Sequence, residues 1–587
     1  MFPAPVRRAR ERIRATPAGL VALALAVGGG AGAGAVAFRY LILAFTELAT
    51  GHRDYSAFAH REWFLLVVPI VGGLVYGPLI PRFARDARGH GVPEVMYAVA
   101  ESGGRIRPQV ALVKSLASAL CIGTGGSVGR EGPIVQIGSA LGSTVGRIAR
   151  VPESRLRILV ACGAAGGISA TFNAPIAGVF FALELILRDF EAESFGVVVL
   201  ASFVADIIGR AAFGSHPFLA LPGFELRSPY EYPLYVGLGI VAAVAGIAFI
   251  KVLYGAEDIA DRLWRGKPEW LRPAAGGVLL GLVLLAVPQL YGVGYPPLEK
   301  AIGGSYTVKF LLLLLVGKII ATSLTIAIGG SGGVFAPSLF MGAMLGSAYG
   351  AGVHALLPTI TAPAGTYGLV GMGAVFAGAA RAPITAVIII FELTGDYRII
   401  LPLMFAIALS AGISNLLSDD TIYTLKLRRR GIDLTRGRGP NPMQILRVVD
   451  AMQPLPPPLG AAMRVDEAIE RLAGATADGL PVVDEAGAYV GTLTSQQLEE
   501  SMRENALDST VGELAQPLQP LSPMQTLEDA LAELLRAHSG MPVVGDDDGA
   551  PVGWITHVDV LRAYAQLSAS AERRGRPPAS RNPVTPR

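Results

Sequence analysis

Residues 125–142 read GGSVGREGPIVQIGSALG, and this stretch decides what kind of fold the chain can adopt. Its glycines stand just before Pro133, and an apolar run follows the proline at once. Proline is favoured at a helix start because its missing N–H would have no partner there, and glycine lets the backbone approach a ligand closely. The same order of residues recurs in GHGVP at 89–93 and in GGVFAP at 332–337. We therefore predict three helix starts with open backbone N–H groups.

The composition places these helix starts inside a membrane. The chain of 587 residues is 52% apolar and 16% charged, whereas soluble domains carry about 25% charged residues. Residues 1–425 hold only 57 of the 95 charged residues. We predict an all-α polytopic membrane domain with broken helices, followed by a soluble α/β domain. This balance argues against a cytosolic enzyme, a disordered protein and a disulfide scaffold, and a net charge of +3 indicates no nucleic-acid partner.

Helix starts at membrane depth carry about half a positive charge and bind anions without a full cation. Glu131 lies within the second of the three segments, and a carboxylate at that depth is costly and therefore a functional candidate. Beside open N–H groups it can take an anion's place, then swing out or protonate to admit one. The simpler alternative is a carboxylate that only caps its helix.

The membrane domain repeats itself. GGS at 125–127 returns at 329–331. NAPI at 173–176, which precedes FFALEL, returns as RAPI at 381–384, which precedes IIIFEL. Repeated halves with interrupted helices are typical of transporters, whose site lies between the halves. Arginines precede the first apolar run, and a basic cluster follows the last one, so the positive-inside rule predicts cytoplasmic termini; these residues are Arg7, Arg8, Arg10, Arg12, Arg14, Lys426 and Arg428 to Arg430.

The soluble part also repeats. GLPVVD at 479–484 returns as GMPVVG at 540–545, and VGTLT at 490–494 returns as VGWIT at 552–556. Each copy is predicted to contain a helix (465–473 and 526–537), two short strands and a further helix. Cys121 and Cys162 lie in apolar runs and are predicted to be small buried side chains.

The set GHGVPEV, GGSVGREGPIVQIGSALG, FNAPIAGVFFALE, GGSGGVFAPSLFMGAMLG and Tyr423 closely resembles the CLC chloride channel and transporter family over about residues 20–430. The soluble repeat resembles a tandem pair of CBS domains. The resemblance implies a homodimer in a bacterial plasma membrane, with chloride or another small anion as ligand, one path per subunit and no required cofactor. The expected division is a cytoplasmic segment 1–19, a membrane domain 20–425, a linker 426–446, CBS domains 447–505 and 506–569, and a disordered tail 570–587.

The resemblance also implies roles for individual residues. Glu131 matches the external gating glutamate. The backbone of Gly129 to Gly132 would bind the outer anion. The backbone of Val334 and Phe335 would bind the central anion, and the Tyr423 hydroxyl would reach that central anion from the inside. The anion-binding set implied in this way is His90, Gly91, Arg130, Gly132, Val334, Phe335 and Tyr423.

Two residues depart from the family pattern. His90 stands where many chloride-selective members have serine, so we expect it to tune selectivity or pH response, unless only its backbone matters. Leu185 stands where typical exchangers have a proton-carrying internal glutamate, next to the general family residue Glu184. This favours a passive channel, and the alternative is a proton/chloride antiporter with a different inner proton route. Lys114 is expected to raise the positive potential along the path, or else to pair or to extend towards the membrane surface. Arg130 is expected to attract anions or fix its loop, and Glu392 to join a buried hydrogen-bond network.

The second CBS copy has Thr556-His-Val-Asp559, which matches the family's ribose-contacting turn, whereas Gln497 follows Thr494 in the first copy. One adenine-nucleotide site at Thr556 and Asp559 is therefore expected, and the alternative is a dimerisation module without a ligand.

Two other classes are distant alternatives. Gly329-Gly-Ser331-Gly resembles the motif of intramembrane serine proteases, with His354 as the base nearest in sequence. A CBS-bearing cation transporter would need clustered carboxylates at membrane depth.

Overall fold

The computed structural model describes residues 16–51, 63–215, 219, 226–434, 443, 446–473, 479–503, 508–537, 539–545 and 550–574. The chain forms two compact units that meet between Leu434 and Thr435. The predicted membrane domain therefore extends beyond residue 425. Lys426 pairs with Glu94 at 3.1 Å, so the start of the predicted linker 426–446 packs with the first unit. The arginines at positions 7 to 14 lie outside the described residues.

The first unit is helical. Nine helical segments among the described residues are long and apolar enough to cross a membrane. The helices are α1 Pro17–Thr50, α2 Phe64–Tyr76, α3 Leu79–Phe83, α4 Val92–Glu101, α5 Gln109–Gly123, α6 Glu131–Ala149, α7 Glu153–Phe172, α8 Pro175–Phe181 continued by a π-helix Ala182–Leu187, α9 Ala192–Phe213, α10 Tyr232–Leu263, α11 Arg272–Ala286, α12 Tyr295–Ile302, α13 Val308–Ala327, α14 Phe335–Leu356, α15 Ala364–Ala380, α16 Pro383–Thr394, α17 Ile400–Leu417 and α18 Thr424–Arg428.

The repeat seen in the sequence recurs in the packing of helices. In the first half, α6 crosses α7 so closely that a Cβ on Gly138 would lie 2.1 Å from the carbonyl oxygen of Gly163. In the second half, α14 crosses α15 in the same way, with a Cβ on Gly342 falling 2.2 Å from the Gly371 carbonyl oxygen. Only glycine permits these backbone contacts. The two halves therefore build their buried centres from the same helix pair.

Burial separates inner from outer helices. Most residues of α7 and α14 and nearly all of α15 are buried, whereas α9, α11 and α17 expose large apolar side chains. Apolar side chains facing outwards suit a lipid environment, because hydrocarbon does not penalise them as water does. Both Cys121 and Cys162 are buried thiols that form no disulfide with one another.

The second unit contains two similar α/β copies, as predicted. The first has a three-stranded sheet in the order β1-β2-β3, and the second has the antiparallel pair β4-β5. The elements are α19 Val448–Ala451, β1 Leu459–Gly460, α20 Val465–Ala473, β2 Gly479–Val483, β3 Tyr489–Thr494, α21 Ser495–Arg503, α22 Val511–Leu514, α23 Leu527–Ala537, β4 Met541–Val544, β5 Pro551–Ile555 and α24 His557–Arg574.

The last helix overlaps the predicted tail. Helix α24 ends at Arg574 and so includes the residues from 570 at which the tail was expected to begin. The apolar spacing of Val560 and Ala563 packs this helix on the core of the second copy. Residues 575–587 lie outside the described residues.

Candidate anion-binding site

Two of the three glycine loops are joined by backbone hydrogen bonds. Gly129 donates to the carbonyl of Gly333 at 2.7 Å, and Gly333 donates to that of Gly129 at 2.6 Å. A second bridge pairs Gly89 with Ser331. The predicted loops of both halves therefore meet at one place in the fold.

The third contact joins the first loop to the second. A Cβ on Gly132 would lie 1.9 Å from the carbonyl oxygen of His90, and a Cβ on Gly91 would lie 2.6 Å from the carbonyl oxygen of Gly132. Gly91 also has φ 87°, a conformation that glycine adopts without strain. Both glycines are thus required by this close approach.

Each of these loops leads into a helix, as predicted. Helix α4 begins after Gly91, α6 after Arg130 and α14 after Val334. The prolines stand in the first turn, although at its second or third residue rather than its first; they are Pro93, Pro133 and Pro337. The first-turn amides therefore have no intrahelical acceptors and remain available to a ligand.

Glu131 occupies this place with its side chain. Its carboxylate is buried, and its Oε2 accepts a hydrogen bond from the Ala336 amide in the first turn of α14 at 3.3 Å. Its Oε1 accepts one from the Tyr295 hydroxyl at 2.8 Å. A negative group thus lies at the N-terminus of a helix from the opposite half, where the helix dipole favours it.

Arg130 is held by contacts with the last two residues of α7. Its Nη2 donates to the carbonyl oxygen of Thr171 at 3.1 Å, and its guanidinium lies 5.8 Å from the ring centre of Phe172. Phe335 packs edge-on against Phe376 with ring centres 4.5 Å apart. These contacts hold the side chains beside the helix starts in place.

His90 and Tyr423 lie on buried surfaces near the loops. The His90 ring is fully buried and packs edge-on against Tyr254 at 6.2 Å. Neither of its nitrogens has a hydrogen-bond partner among the described residues. Tyr423 is also buried, and the Glu131 charge acts on it. No residue adjacent to His90 in the sequence indicates that its ring would face Tyr254.

Two buried lysines support the loops, and the sequence analysis singled out only one of them. Lys114 donates to the carbonyl oxygens of Ala87 at 3.0 Å and Gly89 at 2.7 Å, so it does not reach towards a lipid surface. Lys318, its counterpart in the second half, donates to the carbonyl oxygen of Gly292 at 3.0 Å. The repeat itself was the signal that could have identified Lys318, because it follows the second half's GVG as Lys114 follows GHG.

Glu184 and Glu392 cap helices of opposite halves. Glu392 accepts hydrogen bonds from the amides of Ile176 at 3.0 Å and Ala177 at 2.7 Å, at the start of α8. Glu184 does the same for the start of α16. Its partners are the amides of Ile384 and Thr385 and the Thr385 hydroxyl. Glu392 therefore joins a hydrogen-bond network, as expected. Leu185 beside Glu184 is buried.

The distant alternatives find no support in the site. The Ser331 hydroxyl is bonded to the Ser118 hydroxyl at 2.8 Å and to the Ala87 carbonyl at 3.0 Å. His354 instead contacts Thr361 at 2.9 Å, so it does not serve as a base for Ser331. Within the described ranges, no group of three histidine, cysteine or acidic side chains is placed to hold a cation.

The turn after β5 has a carboxylate where the first copy has an amide. The Asp559 carboxylate accepts bonds from the Thr556 amide at 3.0 Å and hydroxyl at 2.6 Å. Gln497 receives the same two bonds from Thr494, and its amide group donates to the Leu514 carbonyl. The two turns share a geometry, but only the second has a carboxylate, and the other oxygen of that carboxylate pairs with Arg562 at 3.3 Å.

The comparisons with known proteins assign the family. The voltage gated chloride channel family model matches residues 72–415, and the CBS domain model matches residues 448–504 and 511–566. This protein is therefore a member of the CLC family of integral membrane proteins, and it carries a C-terminal pair of CBS domains.

Two relatives and two solved structures illustrate the similarity. A ClcB-like chloride channel protein of Ralstonia nicotianae is 35% identical over 64% of this chain and 88% of its own length. An H(+)/Cl(-) exchange transporter ClcA of Vibrio parahaemolyticus is 36% identical over 60% of this chain and 76% of its own length. A slow cyanobacterial Cl-/H+ antiporter has a TM-score of 0.63 at 25% identity, over 70% of this chain and 97% of its own. A eukaryotic CLC transporter shares the fold over 92% of this chain and 97% of its own. Its TM-score is 0.59 at 21% identity.

Proposed function

We propose that this protein moves chloride, or another small anion, across the membrane through a site between the three helix starts. The observation that carries this proposal is the buried Glu131 carboxylate, with one oxygen 3.3 Å from the Ala336 amide. A carboxylate at helix-terminal amides is itself a bound anion, so the same donors suit a dehydrated halide. Relatives that are named for chloride transport support chloride as the ion.

In this proposal Glu131 is the gate. It fills the anion's place when docked, and it opens the path when an anion displaces it or a proton neutralises it. Backbone amides hold the anion, the Tyr423 hydroxyl reaches it from the inside, and Arg130 keeps the outer loop in place. The residues assigned to anion binding are His90, Gly91, Arg130, Gly132, Val334, Phe335 and Tyr423.

Chloride efflux from liposomes containing the full-length protein tests this function. The wild type should release chloride with a rate that depends on pH, and Glu131→Ala should release it with little dependence on pH. Glu193→Gln is a matched control, because Glu193 is an exposed carboxylate in the first turn of α9. Absence of chloride release by the wild type would refute the function. An unchanged pH dependence in Glu131→Ala would refute the gate.

Passive flux is the transport mode that Leu185 favours. A buried leucine cannot carry a proton, and the adjacent Glu184 carboxylate is engaged by three donors at the start of α16. We therefore propose an anion channel.

Proton-coupled exchange is the second candidate, and one buried carboxylate favours it. Glu94 pairs with Lys426 at 3.1 Å through Oε1, while its Oε2 has no hydrogen-bond partner among the described residues. It lies in α4, which packs against the π-helix that carries Leu185. Glu94 can thus supply an inner proton route in place of the glutamate that is absent at position 185.

The reversal potential of the purified protein in bilayers distinguishes the two modes. At fixed chloride, a pH gradient should leave the reversal potential of a channel at its chloride value. A shift with pH would establish coupled protons and refute passive flux. If that shift is lost in Glu94→Gln but retained in Glu193→Gln, Glu94 is the inner proton carrier.

We also propose that the CBS pair binds one adenine nucleotide at Thr556 and Asp559. The carboxylate of Asp559 supports this, because it is an acceptor suited to ribose hydroxyls. ATP or AMP should raise the Tm of the full-length protein, and Asp559→Asn should abolish that rise. Gln497→Glu is the control at the other turn. No rise for the wild type would support a dimerisation module without a ligand.

A homodimer in a bacterial plasma membrane is the proposed assembly. The first turns of α8 and α16 expose Ile176 and Ile384, while Glu184 and Glu392 beneath them are only partly covered. A carboxylate near a lipid surface is costly, which favours cover by a second copy. Light scattering of the detergent-solubilised protein should give the mass of two chains, and a single-chain mass would refute the dimer.

Both termini are proposed to be cytoplasmic. Four exposed arginines (Arg105, Arg107, Arg147 and Arg150) line one end of the membrane unit. The start of α1 belongs to this end, because Arg155 contacts the Thr16 carbonyl at 3.2 Å. The positive-inside rule places such an end in the cytoplasm. Labelling of single cysteines added near either terminus should therefore occur only after the membrane is permeabilised.

A further inference from the structure

Tyr295 contacts the proposed gate, although none of the assigned roles involves it. Its hydroxyl donates to Glu131 Oε1 at 2.8 Å, while the Ala336 amide donates to Oε2 at 3.3 Å. Both carboxylate oxygens of this first-half residue thus receive a donor from the second half of the repeat. A hydrogen bond to an ionised carboxylate is among the stronger ones in proteins.

The segment that carries Tyr295 is a fourth helix start of the same type. GVGYPP at 292–297 has the residue order of GHGVP at 89–93. Gly294 precedes α12 with φ 94°, just as Gly91 precedes α4 with φ 87°. Tyr295 therefore occupies the position of Val92 in the first half, and a hydroxyl group replaces an aliphatic side chain there.

Lys318 holds this segment against the second glycine loop. Its buried Nζ donates to the carbonyl oxygens of Gly292 at 3.0 Å and Val293 at 3.1 Å, and to the Ser127 hydroxyl at 3.0 Å. One cation thus connects the backbone just before Tyr295 to the loop just before Glu131. The hydroxyl and the carboxylate are held in register by this connection, which lowers the entropic cost of their bond.

Other charged and titratable groups also face the carboxylate. The Arg130 guanidinium lies 5.4 Å from the ring centre of Tyr295, next to Glu131 itself. The Glu131 charge acts on Lys318 from α13 and on Tyr423 at the start of α18. Among these groups, Tyr295 donates a hydrogen bond to Glu131 through its hydroxyl.

We infer that Tyr295 is a positioning residue that latches Glu131 in the anion's place. This inference rests on the proposed function of Glu131 as the gate. The hydroxyl stabilises the ionised, docked carboxylate, because a hydrogen bond to the charged form favours that form. An arriving anion or proton must break this bond before the path opens, so the latch sets how readily the gate leaves.

Tyr295→Phe tests the latch, because it removes the hydroxyl and keeps the ring. Chloride efflux from liposomes at neutral pH should become about tenfold faster, and the pH of half-maximal flux should rise by about one unit, as expected for the loss of one charge-assisted bond. Tyr306→Phe is the matched control, since the Tyr306 ring packs edge-on against Phe310 at 5.0 Å. This substitution should leave the efflux rate and the pH of half-maximal flux unchanged.

A double variant separates the latch from the gate. In a Glu131→Ala background, Tyr295→Phe should cause no further change, because its partner is already absent. If Glu131→Ala has no effect, the gate itself is refuted. If Glu131→Ala removes the pH dependence while Tyr295→Phe alone behaves as the wild type, the latch is refuted and the gate stands. An equal effect of Tyr295→Phe in both backgrounds would also refute the latch.

A second substitution keeps the test decisive if Tyr295→Phe does not fold. Replacing Tyr295 with 3-fluorotyrosine retains the ring and hydroxyl but makes the phenol a stronger donor. The latch then predicts slower efflux and a lower pH of half-maximal flux. Efflux equal to that of the wild type, at equal Tm, would refute the inference.

Discussion

The clearest prediction concerns the two glutamates that cap helices across the repeat. Glu392→Gln preserves the shape of the side chain but removes its charge from the start of α8. One oxygen remains for Ala177 or Ile176, and the new NH2 group faces the other amide, which then lacks an acceptor. We expect the membrane unit to lose stability while chloride efflux continues.

The magnitude follows from the contacts. One charge-assisted hydrogen bond contributes about 1.5–3 kcal/mol, and a carboxylate at a helix N-terminus adds about 0.3–1 kcal/mol. The expected loss is therefore about 2–4 kcal/mol in the free energy of unfolding. Unfolding entropy of about 2 cal/mol/K per residue over about 400 residues converts this into a Tm lower by about 2–5 °C. Glu184→Gln should cost at least as much, because Glu184 has three donors.

Thermal unfolding in detergent, measured beside chloride efflux, checks this reasoning. Glu193→Gln is the control, since its exposed carboxylate should change the Tm by less than about 1 °C. A Glu392→Gln variant with the Tm of the wild type would show that the two amide bonds contribute nothing. A loss of efflux at unchanged Tm would instead place Glu392 in the transport path.

Three further outcomes are expected. Gly132→Ala should abolish chloride efflux, because its Cβ would lie 1.9 Å from the His90 carbonyl oxygen. Gly196→Ala in α9 has open space around it and should transport normally, and transport by both variants would refute the close packing. Lys114→Met should slow efflux and lower the Tm, because the carbonyls of Ala87 and Gly89 lose their cationic donor; a Tm equal to that of the wild type would contradict this. In the second unit, a hydrogen bond from Arg464 holds the pKa of Asp466 below its usual value. The stabilising effect of this hydrogen bond is therefore present at neutral pH and lost as the pH falls through the lowered pKa of Asp466. The Tm difference between the wild type and Asp466→Asn should vanish in acid, and a difference that persists there would exclude the Arg464–Asp466 pair as its cause.

Local rules were enough to predict the helix starts and the repeat. Glycine before proline fixes where α4, α6 and α14 begin, because the backbone conformation there depends on adjacent residues. The recurrence of GGS indicated that the second and third loops are counterparts, and the structure joins them at Gly129 and Gly333. The two CBS copies were predictable for the same reason, since each repeats a strand motif.

Contacts between distant segments could not be predicted in this way. Tyr295 is 164 residues from Glu131 along the chain, and nothing adjacent to it specifies a carboxylate partner. Composition likewise misplaced the domain boundary. A basic cluster reads as solvated linker, yet Lys426 reaches Glu94 and extends the membrane unit to Leu434. The tail was predicted from its content of arginine, proline and serine, and composition does not indicate that α24 extends to Arg574.

The pair of hydrogen bonds between Gly129 and Gly333 has a consequence for how this protein can diversify. These bonds use only main-chain atoms, so a substitution other than proline changes the side chain and leaves the bonding N–H and C=O groups in place. We therefore expect ion preference at the proposed site to be adjusted through replaceable side chains around the loops, with the imidazole of His90 as one candidate. Laboratory selection for a new permeant ion should accordingly recover changes around the loops and leave this glycine pair intact.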